Sequence, residues 1–304
     1  MIVSSDDVRA AAQRLDGRVR KTPVLRADGE LWFKLEQTQH AGSFKTRGMF
    51  NQILAAGPLP EAGIVAASGG NAGLAAAWAA RELGIPAEVF VPVTAPAVKV
   101  AKLGRLGARV VQAGNEYAEA YNAARLSADA SGALFCHAYD NPHMVAGNGT
   151  LALELQDQLP AGFDTVLVAV GGGGLIAGVI AALPPAVRVV AVEPITAAAL
   201  HEALRAGAPV DVPVSGVAAD SLGARRAGQL AFDLARAART PAILVDDKAI
   251  VDARRRLWDD YRLAVEHGTA AAYAALTSGA YLPAAGERVV VLLCGANTNP
   301  ADLT

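Results

Sequence analysis

Val168-Ala169-Val170-Gly171-Gly172-Gly173-Gly174-Leu175-Ile176-Ala177-Gly178 is the stretch that decides how this chain folds. A β-branched run enters four glycines and an aliphatic run leaves them, so it reads as strand, tight turn and helix. Without Cβ atoms the turn bends sharply and brings its amides close to an anion, and the free N–H groups of the first helical turn point the same way. A phosphate is the natural occupant. The plain alternative is a turn that holds nothing, but four glycines cost conformational entropy with no packing in return. The 23 residues from Thr165 to Val187 carry no charge, which is long enough to raise a membrane span. The glycines and Pro184-Pro185 break that run, leaving a buried strand, a loop and a short helix.

Outward from this turn, β-rich runs alternate with alanine-rich ones. Strands are predicted at Leu31–Leu35, Ile64–Ala67, Ala87–Val91, Arg109–Gln112, Leu134–His137, Thr165–Val170, Val187–Val192, Ile243–Val245 and Val289–Leu293. Helices fall between most of them. Gly84 closes a helix over Ala72–Leu83 and Gly207 one over Thr196–Ala206, because glycine readily takes the left-handed conformation at a helix end. Such alternation builds an α/β fold of open, twisted parallel sheets with helices on both faces and ligands at the carboxyl ends of the strands. No repeat, low-complexity tract or long linker interrupts it, so any two domains share one compact body.

With 304 residues, 53% hydrophobic and 18% charged, the chain can bury a sizeable core in one large or two modest domains. Its net charge of −2 and lack of a basic tract argue against nucleic acid or an anionic membrane as partner, since both need clustered positive charge. The densest cluster, Arg254-Arg255-Arg256, reads as a solvated helix face. Cys136 and Cys294 fit neither a disulfide framework nor a zinc site. They point to a reducing cytoplasm, and the amino terminus, with Asp6, Asp7 and Arg9, has no apolar signal core.

Two further strand ends carry loops of the same kind. Ala66-Ala67-Ser68-Gly69-Gly70-Asn71-Ala72-Gly73 opens a helix, with Ser68 and Asn71 where capping residues sit. A plain N-cap is the simple reading, but the same amides, flanked by small residues, can receive a substrate carboxylate. Leu292-Leu293-Cys294-Gly295-Ala296-Asn297 repeats the pattern, and a buried structural thiol is the default for Cys294. A competing reading starts from Gly172-x-Gly174-x-x-Ala177, which satisfies the dinucleotide fingerprint, with Glu193 where a ribose-binding acid belongs. That would make an NAD-dependent dehydrogenase. It leaves the next residue without a task.

Lys45 stands in Lys34-Leu35-Glu36-Gln37-Thr38-Gln39-His40-Ala41-Gly42-Ser43-Phe44-Lys45-Thr46-Arg47-Gly48. Only six of the 27 basic residues are lysine, so this chain mostly writes arginine where bare positive charge serves. An amine that must lose its proton to react cannot be a guanidinium. An amine able to form an imine, a glycine loop for a phosphate, a serine and asparagine loop for a carboxylate and a neutral polar group at a third strand end together suit pyridoxal 5′-phosphate (PLP).

At these motifs the chain resembles the fold type II (tryptophan synthase β-like) pyridoxal-phosphate enzymes, and within them the serine/threonine dehydratases and related serine racemases. Lys-Leu-Glu at 34–36, Gly-Ser-Phe-Lys-x-Arg-Gly at 42–48, Ser-x-Gly-Asn at 68–71, the four glycines, Val-Glu-Pro at 192–194 and Cys-Gly-x-Asn at 294–297 occur in the family's order, from about Val24 to Asn299. The resemblance implies a large cofactor domain of residues 1–54 and 143–304, with a small domain, 55–142, inserted. It implies that Lys45 holds PLP as a Schiff base and then serves as general base, with Phe44 against the ring and Asn71 on the ring's 3′ oxygen. Gly171 to Gly174 would hold the phosphate, itself the implied proton donor to the leaving hydroxyl. Ser68, Gly69, Asn71 and Ala72 would take the substrate carboxylate, and Cys294 would face the ring nitrogen with Glu266 nearby. A neutral partner for that nitrogen tempers the electron sink and favours β-elimination. The implied reaction removes water from a 3-hydroxy amino acid such as threonine or serine and gives a 2-oxo acid and ammonia, in a homodimer.

Departures from the family pattern narrow the choice. Racemases of the family carry a serine as second acid/base where this chain has Gly69, so racemisation ranks behind elimination. The metal site of the racemase-like branch pairs the Glu-Pro glutamate with a following aspartate, and Glu193 is followed by Ile195-Thr196-Ala197-Ala198-Ala199. No divalent metal is expected there, while a monovalent ion stays open. Asn148 replaces a usual glutamine and His267 a usual proline. The chain stops soon after Cys294-Gly295, and no isoleucine-sensing regulatory domain is expected. The amino acid synthases use other words around the lysine and in the phosphate loop, so β-replacement also ranks behind. A non-catalytic cofactor-binding protein is disfavoured by intact Lys45, Asn71 and Cys294.

Overall fold

A computed structural model describes residues 2–303. Among these residues ten strands form: β1 Val24–Arg26, β2 Leu31–Lys34, β3 Ile64–Ala67, β4 Ala87–Val91, β5 Arg109–Gln112, β6 Leu134–Cys136, β7 Thr165–Ala169, β8 Arg188–Pro194, β9 Ala242–Val245 and β10 Val289–Leu292. Helices α1 Ser5–Leu15, α2 Lys45–Ala55, α3 Asn71–Leu83, α4 Ala97–Arg105, α5 Tyr117–Ser131 and α6 Pro142–Gln158 belong to the first half. The second half adds α7 Gly174–Ala182, α8 Ala199–Ala206, α9 Ala219–Leu222, α10 Gln229–Ala237, α11 Asp247–Tyr261 and α12 His267–Thr277.

The strands divide into two sheets, one of order β1-β2-β10-β7-β8-β9 and one of order β5-β4-β3-β6. Every pairing is parallel except β1 with β2, an antiparallel edge that the hydrophobic pattern did not reveal. Side chains alternate across the larger sheet. Val166, Val168, Val189, Ala191, Val290 and Leu292 join one core with residues of α1, α6, α7, α8 and α10. Leu167, Ala169, Val190, Val192, Val289 and Val291 join another with α11 and α12. Both faces are therefore covered, as parallel sheets require. In the smaller sheet Ile64, Ala66, Val89 and Val91 pack on α3, and Met49, Phe50 and Ile53 of α2 lie in that same core.

Glycine contacts set how closely the central helices approach. A Cβ on Gly48 of α2 would meet Met144 Sδ at 2.2 Å, and one on Gly178 of α7 would meet Val145 O at 2.4 Å. Helix α6 is thus clasped between the helix that starts at Lys45 and the helix that follows the four glycines.

Candidate active site

The carboxyl ends of β3, β4, β6, β7 and β10 open into one cleft of about 440 Å³. It is lined by the residues that the resemblance assigns to cofactor and substrate: Phe44, Lys45, Ser68, Gly69, Asn71, Ala72, Gly171 to Gly174, Glu266 and Cys294. A larger hollow of about 990 Å³ at the amino ends of β7 and β8 contains Asp164, Arg188 and Glu287 and none of these groups.

Lys45 is the first residue of α2, a helix with no side-chain cap. Its start is held instead by the end of β10: Phe44 N donates to Cys294 O at 3.0 Å, Ala296 N to Gly42 O at 2.9 Å, and Ser43 bridges Gly295. Lys45 Nζ donates to Ala138 O at 2.5 Å and lies 5.1 Å from the centre of the Phe44 ring. Burial holds its amine well below the usual lysine range, at about 8. An amine so placed is available both as nucleophile and as base near neutral pH.

The four-glycine loop opens α7 with Gly173 in the left-handed region, at φ 89°. Among the described residues, none of the N–H groups of Gly171 to Gly174 has a protein acceptor. Amides converging on a helix amino end form an anion seat. Glycine is required for a second reason. A Cβ on Gly172 would fall 2.4 Å from the Tyr139 ring, and one on Gly174 2.6 Å from Tyr139 O.

At the opposite loop, Ser68 Oγ accepts from Gly70 N at 3.2 Å. The helix cap itself is Gly70, so neither Ser68 nor Asn71 fills the plain capping role. The N–H groups of Asn71, Ala72 and Gly73 have no acceptor among the described residues and make a second anion seat. Asn71 turns its side chain inward: Nδ2 donates to both oxygens of Glu266 at 3.0 Å, and its Oδ1 accepts from Asn297 Nδ2 at 2.6 Å. Glu266 is buried, which raises its carboxyl above the usual range despite these donors. Cys294 Sγ lies 3.2 Å from Thr269 Oγ1. Burial pushes its thiol up to about 12, so it is a neutral group at working pH.

These pieces fit PLP: two sets of unclaimed amides for two anions, a depressed lysine amine between strand ends, and a neutral thiol. Residues 15–295 match the family described as pyridoxal-phosphate dependent enzyme. The chain belongs to that family. It is 39% identical to phenylserine dehydratase of Ralstonia pickettii, over 95% of this chain and 91% of that one. It is 33% identical to the L-threonine ammonia-lyase of Thermotoga maritima, over 97% and 76%. Maize serine racemase superposes with a TM-score of 0.92 at 31% identity, over 100% and 96%. The cofactor of this pyridoxal-phosphate enzyme is PLP, and its parallel sheets with helices on both faces are those of fold type II.

Three readings of single residues change in this enzyme. Both oxygens of Glu193 accept the first amides of α8, from Leu200 N at 2.8 Å and His201 N at 2.7 Å, so it serves that helix rather than a ribose. The helix accordingly begins at Ala199, and Thr196 to Ala198 form the turn beneath it. Arg254 is buried, donating to Val265 O, Asp302 O and Thr298 Oγ1, whereas Arg255 and Arg256 are exposed as a helix face. No motif held Ala138, Tyr139 or Thr269, and none gave Asn297 a role, though all four touch the predicted residues. Asn297 alone had a sequence signal, as the end of Cys-Gly-x-Asn. No helix among the described residues is long and apolar enough to cross a membrane.

Proposed function

We propose that this enzyme is a dehydratase, an ammonia-lyase that removes water from a 3-hydroxy amino acid and releases a 2-oxo acid and ammonia. The observation that carries the reading is the depressed amine of Lys45 in a cleft where Gly69 offers no side chain to act as a second acid or base. When bound, PLP supplies the electron sink that lets a proton leave the α carbon. The amides of Gly171 to Gly174 would hold the cofactor's phosphate, and Phe44 would lie against its ring. Ser68 and the amides of Asn71 to Gly73 hold the substrate carboxylate. Lys45 Nζ, neutral, takes the α proton. Cys294 stays uncharged, and as the partner of the ring nitrogen it would not hold that nitrogen protonated as a carboxylate would.

Threonine, serine and phenylserine are the substrate candidates, because the similar enzymes carry those names. We take residues 55–142 as the inserted smaller domain. Buried free thiols at Cys136 and Cys294 suit a reducing compartment, and we place the enzyme in the cytoplasm as a homodimer. The test is a panel of 3-hydroxy amino acids of both configurations incubated with PLP-loaded protein. Release of matching 2-oxo acid and ammonia is expected, and silence across the panel contradicts the reading.

A further inference from the structure

Beyond the motif residues, one side chain organises the wall that Lys45 faces. His137 directly follows β6 and is half-buried, its backbone N–H donating to Gln52 Oε1 at 3.2 Å. Its Nδ1 accepts two backbone amides of the turn it starts, from Tyr139 N at 3.2 Å and Asp140 N at 2.9 Å. An imidazole nitrogen accepts only when it carries no proton, so the ring is neutral with its hydrogen on Nε2.

That short turn has three attachments. Ala138 O receives Lys45 Nζ. The Tyr139 ring lies against Gly172 of the phosphate loop. Asp140 accepts Gln229 N and Leu230 N, both at 3.1 Å, capping α10 of the larger body. We propose that His137 is a positioning residue for Lys45, its unprotonated Nδ1 fixing the turn whose Ala138 carbonyl receives the lysine amine. The proposal rests on Lys45 being the working amine.

Protonation at Nδ1 converts the acceptor into a donor facing two other donors, and the turn loses both bonds. Around the ring, Asp140 favours the imidazolium while Lys45 and Arg125 oppose it, and Tyr121 and Tyr139 pack edge-on at 6.0 and 5.0 Å. Burial is the largest influence of all and holds the imidazole below its ordinary range. The turn is therefore intact at neutral pH and fails in acid.

Two variants and one spectrum test this. In His137→Asn the amide oxygen can take the place of Nδ1 without titrating; in His137→Phe the ring remains and the acceptor is gone. Nitrogen NMR of the wild type should show Nε2 protonated and Nδ1 bare at neutral pH. Amine labelling of Lys45 in cofactor-free protein, followed against pH, should match wild type in the Asn variant and shift by about one pH unit or more in the Phe variant. In loaded protein the Asn variant should keep kcat within about threefold and lose part of the acid limb of the pH profile. A proton on Nδ1, or equal labelling curves in the two variants, overturns the proposal. Should the Phe variant not fold, the tautomer and the Asn variant's acid limb still decide. Loaded wild type that is inactive on every 3-hydroxy amino acid would end the dehydratase reading, while the tautomer and labelling results would still judge His137.

Discussion

Arg47 and Glu36 are fully buried and meet through two hydrogen bonds of 2.8 Å, Nε to Oε2 and Nη2 to Oε1. Glu154 closes the other side of the guanidinium, at 2.7 Å to Nη1 and 2.9 Å to Nη2, and also takes Lys34 Nζ at 2.7 Å. On a helix, residues two apart point to nearly opposite sides. Anchoring Arg47 therefore fixes the rotation of α2 with Lys45 toward the cleft. This gives Lys34-Leu35-Glu36 and Arg47 their place in the motif set.

Arg47→Met leaves Glu36 buried and uncompensated and should cost about 3–5 kcal/mol of unfolding free energy. Arg47→Lys keeps the charge but not the fork, and should fall between that variant and wild type. Urea unfolding monitored by circular dichroism checks the order. Equal stability of all three would remove the anchor from the account.

Lys45 should oppose folding at neutral pH. Its folded value of about 8 lies below the unfolded 10.5, so the unfolded chain binds more protons between those limits. The burden is complete below pH 8 and fades as pH rises toward 10.5. Cofactor-free Lys45→Met should thus exceed wild type by about 1–3 kcal/mol at pH 7, with the gain shrinking at pH 10. A constant difference across that range would show that the amine is not held in its depressed state.

On the proposed function, Gly69 should set the stereochemical outcome. A Cβ there would have only ordinary contacts, 3.5 Å to Val91 Cγ1 and 3.8 Å to Lys99 Cδ, so the backbone at Gly69 has room for the Cβ that Gly69→Ser adds. The variant should racemise a 3-hydroxy amino acid at least about tenfold faster than wild type, the low end of what one positioned acid/base group contributes. Chiral chromatography of unreacted substrate reads it directly.

Gly172→Ala drives a methyl into the Tyr139 ring, and the ring or the loop must move. PLP affinity, followed by fluorescence titration, should weaken by about tenfold or more, roughly the loss of one charge-assisted hydrogen bond. Wild-type affinity would mean that the phosphate sits elsewhere.

The strands and the cleft were legible because parallel sheets bury both faces as continuous aliphatic runs and leave small polar residues at their carboxyl ends. Ile64–Ala67, Ala87–Val91 and Arg109–Gln112 form as written. β1 escaped because Val24-Leu25-Arg26 is three residues long and gains its place only by pairing with β2. The start of α8 was misplaced because Glu193, seven residues before Leu200, supplies its cap. Arg254 read as solvated because its acceptors come from segments up to 48 residues away. His137 carried no signal, since its role lies in two bonds to its own turn.

Lys45, alone of the six lysines, should carry the cofactor. PLP-loaded protein reduced with borohydride, digested and mapped by mass spectrometry should show the pyridoxyl phosphate mass on the peptide containing Lys45. The same mass on a peptide carrying Lys34, Lys99 or another lysine, or on none, would contradict the account.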